Sequence, residues 1–223
     1  MIYCVIFDTK NRENNIRKKN DCRILRQSIL TLPANIAEYV DEAGNSLVKA
    51  ERLGAYSSLL ASLKCFYNIE NPVIIHQNGK KPHIKSQEIF FNISHSGGVT
   101  VVTLSKEYDV GVDIQTEPEE AMKARLEKRF LSNFSSKKEN IGITYFLAVQ
   151  DASDFVFYEV EAEGVGINFA SNWTSMEAVM KLHGDGFSSL SNIHELTRKS
   201  KIEATKINID NTEYYIANAI KNG

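Results

Sequence analysis

The stretch Phe91-Asn92-Ile93-Ser94-His95-Ser96-Gly97-Gly98, FNISHSGG, joins two apolar runs, EIFFNI (residues 88–93) and VTVVTL (residues 99–104). Both runs predict strands, and the serines, histidine and glycines between them predict a turn. A third strand is expected from VGVDIQ (residues 110–115). The turn has two readings. One is a plain hairpin. The other is an anion site, because glycines let backbone N–H groups approach an oxyanion while Ser and His add donors. The turn alone leaves both open.

Outward from this stretch, strands and helices mix without regular βαβ alternation, so the expected fold class is α+β. MIYCVIF (residues 1–7) lacks a basic leader and is expected as a buried strand. Ser46 to about Tyr67 has helical period, with Tyr56, Leu59, Leu60, Leu63 and Tyr67 on one face. NPVIIH (residues 71–76) is a short strand, and QNGKKPHI (residues 77–84) a turn followed by an extended segment. Thr116 with Pro118 opens a helix through residues 119–131. ITYFLAV, DFVFYEVEAE and GVGINF, within residues 141–170, are expected as strands of a meander. SNWTSMEAVMKLHG (residues 171–184) is a helix capped by Ser171 or Asn172 and stopped by Gly184. The C-terminal run predicts a β-hairpin turning at Asp210-Asn211.

Twenty-six basic against 28 acidic side chains, for a net charge of −2, argue against a dedicated nucleic-acid binder. The basic stretches at residues 10–26 and 123–138 are weak hints of an acidic ligand. Three scattered cysteines, Cys4, Cys22 and Cys65, without metal-ligand spacing fit a reducing compartment, and no run approaches membrane-spanning length. A cytoplasmic monomer is expected.

On a strand, Val110, Val112 and Ile114 face one way and Gly111, Asp113 and Gln115 the other, so Asp113 and Gln115 could share a hard cation. The plain alternative is a strand with one wet face. On the helix, Met176, Val179, Met180 and His183 form a stripe beside the Trp173, Glu177, Lys181 row. Glu177 and Lys181 have the favourable order for an i,i+4 ion pair, and a surface salt bridge is the plain reading.

Taken in order, residues 92–96 (NISHS), residues 111–115 (GVDIQ) and the Trp-x-x-x-Glu-x-x-x-Lys-x-x-Gly-x-Gly pattern of residues 173–186 resemble the 4′-phosphopantetheinyl transferase superfamily, in its two-lobed Sfp-type branch. NGKKP (residues 78–82), KRFL (residues 128–131) and Arg52 are further points of resemblance. The resemblance implies two similar α+β lobes, residues 1–108 and 109–223, related by pseudo-twofold symmetry with the active site in the cleft between them. It implies a Mg²⁺-dependent enzyme of the holo-[acyl-carrier-protein] synthase type. Such an enzyme moves the phosphopantetheine arm of coenzyme A to a serine of an apo acyl or peptidyl carrier protein and releases 3′,5′-ADP. Asp113, Glu177 and Gln115 would be metal ligands, Glu177 and Lys181 catalytic groups, and Arg52, Lys81, Ser94 and His95 coenzyme A contacts. The sequence departs from the family pattern at Gln115, where a second acid is usual, and at Met176, where a lysine is. A non-catalytic coenzyme A- or carrier-binding protein is the alternative; a metal-dependent phosphohydrolase would want more ligands.

Overall fold

The computed structural model describes the chain except at residues 11–23, 29–30, 78–79, 86–88, 128–133, 135–136, 152–153, 185–190 and 223. In chain order its strands are β1 (Ile2–Asp8), β2 (Ile24–Ser28), β3 (Ile74–Ile75), β4 (His83–Ile84), β5 (Phe90–Ser96), β6 (Val99–Ser105), β7 (Val110–Thr116), β8 (Ile143–Asp151), β9 (Asp154–Val160), β10 (Glu163–Gly164), β11 (Ser200–Ile209) and β12 (Thr212–Lys221). The helices are α1 (Ala34–Asp41), α2 (Ser46–Tyr67), α3 (Glu120–Leu126), α4 (Phe169–His183) and α5 (Ile193–Arg198).

Among the described residues one sheet has the order β2-β9-β8-β1-β6-β5 and a second has β10-β11-β12-β7. Period-two alternation gives each sheet two apolar faces. In the first, Val5, Phe7, Val102, Leu104 and Phe146 pack against Leu59, Leu60 and Leu63 of α2. Their neighbours Cys4, Ile6, Val99, Val101 and Leu147 turn the other way, onto Val112, Ile114, Ile207, Tyr214 and Ile216 of the second sheet. The far face of that sheet presents Ala204, Ala217 and Ala219 to Met176, Val179 and Met180 of α4. The order of layers is therefore helix, sheet, sheet, helix, and the α+β class holds.

Strand β8 pairs parallel to β1 and β9 extends the sheet beyond it, so the chain returns to the first sheet after β7 has entered the second. The two sheets thus do not divide the chain at residues 108 and 109. Local details also differ from the sequence reading. GVGINF is not a strand beyond Gly164, because Asn168 already caps α4. Asn168 accepts from the Ser171 backbone N–H while the Ser171 hydroxyl closes a capping box, so Ser171 is the box partner and not the cap. Gly184 ends the helix at φ 79°, as expected. The final hairpin turns at Asp210 and Asn211, both with positive φ, as the sequence indicates. Of the family-like stretches, residues 78–79, 128–131 and 185–186 lie outside the described residues.

The two sheets meet along β5 and β7. Strand β7 is an edge of its sheet, and its outward N–H groups need partners. Asn92 Oδ1 accepts from Val112 N at 3.1 Å, and Ser94 Oγ lies 3.4 Å from Ile114 N. Side chains of one edge thus take the place of a main-chain ladder on the other. This seam positions the candidate site.

Candidate active site

Helix α4 lies directly on β7, and Gly111 is the reason it can. A Cβ at this position would fall 2.1 Å from the Ala178 carbonyl oxygen and 2.6 Å from the Leu182 nitrogen. The close approach brings the outward residues of β7 against the Glu177, Lys181 row of α4.

Asp113 is fully buried and Ser94 is 4% exposed. Lys181 crosses from α4 to both: its Nζ donates to Asp113 Oδ1 at 2.6 Å and to Ser94 Oγ at 2.7 Å. The Ser94 hydroxyl donates in turn to Asp113 Oδ1 at 2.8 Å. The expected helix pair with Glu177 is replaced by this longer reach, since a fully buried carboxylate needs a cation more than a half-buried one does. Gln115 Nε2 bridges the two acids, 3.3 Å from Asp113 Oδ2 and 3.1 Å from Glu177 Oε2. Five sequence-selected residues, Ser94, Asp113, Gln115, Glu177 and Lys181, therefore form one cluster from three elements.

The electrostatics follow from burial. The Glu177 carboxyl is pushed up to about 8, first by loss of water and then by the Asp113 charge; Lys181 and the Gln115 amide act in the opposite sense. At neutral pH the Glu177 carboxyl of the isolated cluster therefore holds its proton. A neutral acid of this kind can give or take a proton near physiological pH.

The donor set fits a hard cation. Asp113 Oδ2, Glu177 Oε2 and, after an amide turn, the Gln115 oxygen converge on one place. Asp113 Oδ1 is taken by Lys181 and Ser94. No cluster of three or more His, Cys, Asp or Glu residues suited to a metal occurs among the described residues. A cation here would thus have two carboxylates and complete its shell with water or ligand oxygens.

The remaining selected residues stand apart from the cluster in their contacts. His95 is on the strand, not in the turn; the turn is Gly97-Gly98, both at positive φ. Alternation points Ser94 at β7 and His95 at α2, where its Nδ1 lies 2.9 Å from Glu51 Oε2. Arg52 donates to the Tyr39 carbonyl oxygen at 2.7 Å and lies over the Tyr39 ring, whose plane also stacks on His76. Lys81 bonds Asp109 and the Val110 carbonyl oxygen, at the start of β7, whereas Asp113 lies at the middle of the strand. Burial lowers the Lys81 pKa and Asp109 opposes the shift.

Glu51 was not legible as a site residue, although a signal existed. With Ala55, Ser58 and Ser62 it lies on a buried face of α2, and a carboxylate on such a face requires a partner.

No family model matches the chain. A stretch of 122 residues is 29% identical to a Haemophilus influenzae protein named "Putative 4′-phosphopantetheinyl transferase". The match covers 55% of this chain and 45% of that relative's length. The likeness bears out the resemblance to the 4′-phosphopantetheinyl transferase superfamily read from the ordered motifs. No helix among the described residues is long and apolar enough to cross a membrane.

Proposed function

We propose that this protein transfers the 4′-phosphopantetheine arm of coenzyme A to a serine hydroxyl of an apo acyl or peptidyl carrier protein in the cytoplasm, releasing 3′,5′-ADP. The observation that carries the reading is the meeting of Ser94, Asp113, Gln115, Glu177 and Lys181 at one seam. Their sequence order is that of the superfamily motifs. In this reading the two sheets with their covering helices are the two lobes, and the substrate cleft runs along β5 and β7.

In the transfer, the serine oxygen forms a bond to the pyrophosphate phosphorus next to the pantetheine arm. The phosphorus–oxygen bond to the 3′,5′-ADP portion breaks. Glu177, in its ionised form, accepts the serine proton. Lys181 balances the charge that develops on the departing phosphate. Ser94 and Asp113 hold the Lys181 ammonium in place, so the lysine is fixed before substrate arrives. Mg²⁺, held by Asp113, Glu177 and the Gln115 amide, would supply neutralisation of the pyrophosphate oxygens. His95, Arg52 and Lys81 are the proposed coenzyme A contacts. For Arg52 and Lys81 this requires exchange of their present contacts with Tyr39 and with Asp109.

Incubation with coenzyme A, Mg²⁺ and apo-carrier domains of the fatty-acid, polyketide and peptide-synthetase kinds tests the proposal. Intact mass is expected to rise by one phosphopantetheine on at least one carrier and to stay unchanged with chelator. Coenzyme A binding without transfer to any carrier would favour a binding protein.

A further inference from the structure

We propose that Glu51 is a positioning residue for His95: its buried carboxylate holds Nδ1 and leaves Nε2 as the ring nitrogen presented to an anionic ligand. The identity of that ligand as a coenzyme A phosphate rests on the reading above; the clamp itself does not.

The geometry is reciprocal. Glu51 is 5% exposed, and each of its oxygens is engaged. Oε2 lies 2.9 Å from His95 Nδ1, and Oε1 accepts from Gly98 N at 3.0 Å. The His95 side chain remains 43% exposed, so one edge of the ring is buried on the carboxylate and the other meets solvent. A carboxylate without a proton can only accept, hence Nδ1 must carry a hydrogen whether the ring is neutral or charged. An unconstrained neutral histidine prefers its proton on Nε2, so the clamp sets the less common tautomer.

The second contact makes the arrangement rigid. Gly98 N is a backbone donor in a turn at φ 88°, and Thr9 N and Oγ1 both donate to the Gly98 carbonyl oxygen at 2.9 and 2.7 Å. The turn therefore fixes one Glu51 oxygen, and the other is left to orient the imidazole. Glu51 does for His95 what Ser94 does for Lys181: it fixes the direction of a positively chargeable group before a ligand arrives.

Glu51→Gln gives an unusual signature. Gly98 N needs an acceptor, so the new amide must place its oxygen there and its NH₂ against Nδ1. That donor requires a bare Nδ1 and moves the neutral ring's proton to Nε2. The experiment is long-range ¹H–¹⁵N correlation of the His95 ring in mildly alkaline buffer, for the full-length wild type and for E51Q. The expected result is a protonated Nδ1 in the wild type and a protonated Nε2 in E51Q. A wild-type ring protonated on Nε2, or identical ring nitrogens in both proteins, overturns the clamp; the first of these needs no variant to fold. An anion accepts only from a protonated Nε2, so the phosphate takes the doubly protonated ring, with Nδ1–H on Glu51 and Nε2–H on the ligand. The E51Q amide, which donates to Nδ1, opposes that charged ring. It is expected to raise KM for coenzyme A roughly tenfold in steady-state assays, as for loss of a charge-assisted hydrogen bond. The rise for dephospho-coenzyme A should be much smaller. An inverted tautomer with equal changes on both substrates supports the clamp and contradicts the phosphate role of His95.

Discussion

Replacing Gly111 with alanine tests whether the site depends on the seat of α4 against β7. The added Cβ would lie 2.1 Å from the Ala178 carbonyl oxygen, where ordinary contact begins near 3.4 Å, a shortfall of about 1.3 Å. Both opposing atoms nearest to it, Ala178 O and Leu182 N, are backbone, so no side chain can swing aside. The helix must move outward by on the order of 1 Å. Overpacking of this kind costs about 1–3 kcal/mol, and contact with two backbone groups places it at the upper end. Alanine gives back roughly 0.5–1 kcal/mol of chain entropy relative to glycine in a strand, leaving a net loss of about 2 kcal/mol. The functional loss should be larger than the stability loss. A displacement near 1 Å carries Glu177 and Lys181 away from Asp113, and misplacement on that scale costs roughly 10²-fold in rate. Urea unfolding gives the first number, and initial rates of carrier modification on folded protein give the second. Wild-type midpoint and wild-type rate together in Gly111→Ala would refute the argument that the glycine sets the site.

Three other outcomes follow from the cluster. Glu177 holds its proton in the folded protein up to about pH 8 against an ordinary 4.5, so the folded state binds more protons in that window. Metal-free stability is therefore greatest below pH 4.5 as far as this group is concerned and falls as pH rises through 8, by roughly 4–5 kcal/mol at most. Glu177→Gln should flatten that slope in denaturation measured across pH; an unchanged slope would remove Glu177 as its source. Ser94→Ala takes hydrogen bonds from both Lys181 and Asp113 while leaving their 2.6 Å pair, and is expected to cost about 1.5–3 kcal/mol by chemical denaturation. Gln115→Glu adds a third acid beside two, so it should lower the melting temperature in chelator and lower the Mg²⁺ concentration for half-maximal activity. A variant with both quantities unchanged would place residue 115 outside the cation site.

The candidate site was more legible than the layout of the sheets. Alternation on VGVDIQ separates Asp113 and Gln115 from Val112 and Ile114, and a row of i,i+4 spacings puts Glu177 over Lys181; both are local rules of geometry. The strand segments of residues 143–160 were also legible one by one. Their pairing was not, because the parallel β1–β8 contact joins residues about 140 apart and depends on which sheet had an open edge. Period two does not carry that information. The same limit applies at single residues. FNISHSGG offers His95 as a donor for an anion but does not show that Glu51, on a helix 44 positions earlier, holds its ring. The caps show the finer resolution of the same problem: Asn168 rather than Ser171 begins α4 because a capping box uses both, and either reads well in sequence.

In the proposed function one cluster, anchored on Asp113, performs phosphopantetheine transfer. The most direct measurement runs wild type and Asp113→Ala side by side on the same apo-carrier panel with coenzyme A and Mg²⁺, with folding verified by circular dichroism and products read by intact and peptide mass. Wild type is expected to place a single phosphopantetheine on a carrier serine with stoichiometric 3′,5′-ADP, and folded Asp113→Ala to modify the carrier at no more than a background rate. Equal modification by both proteins, or none by wild type while it still binds coenzyme A, would contradict that function.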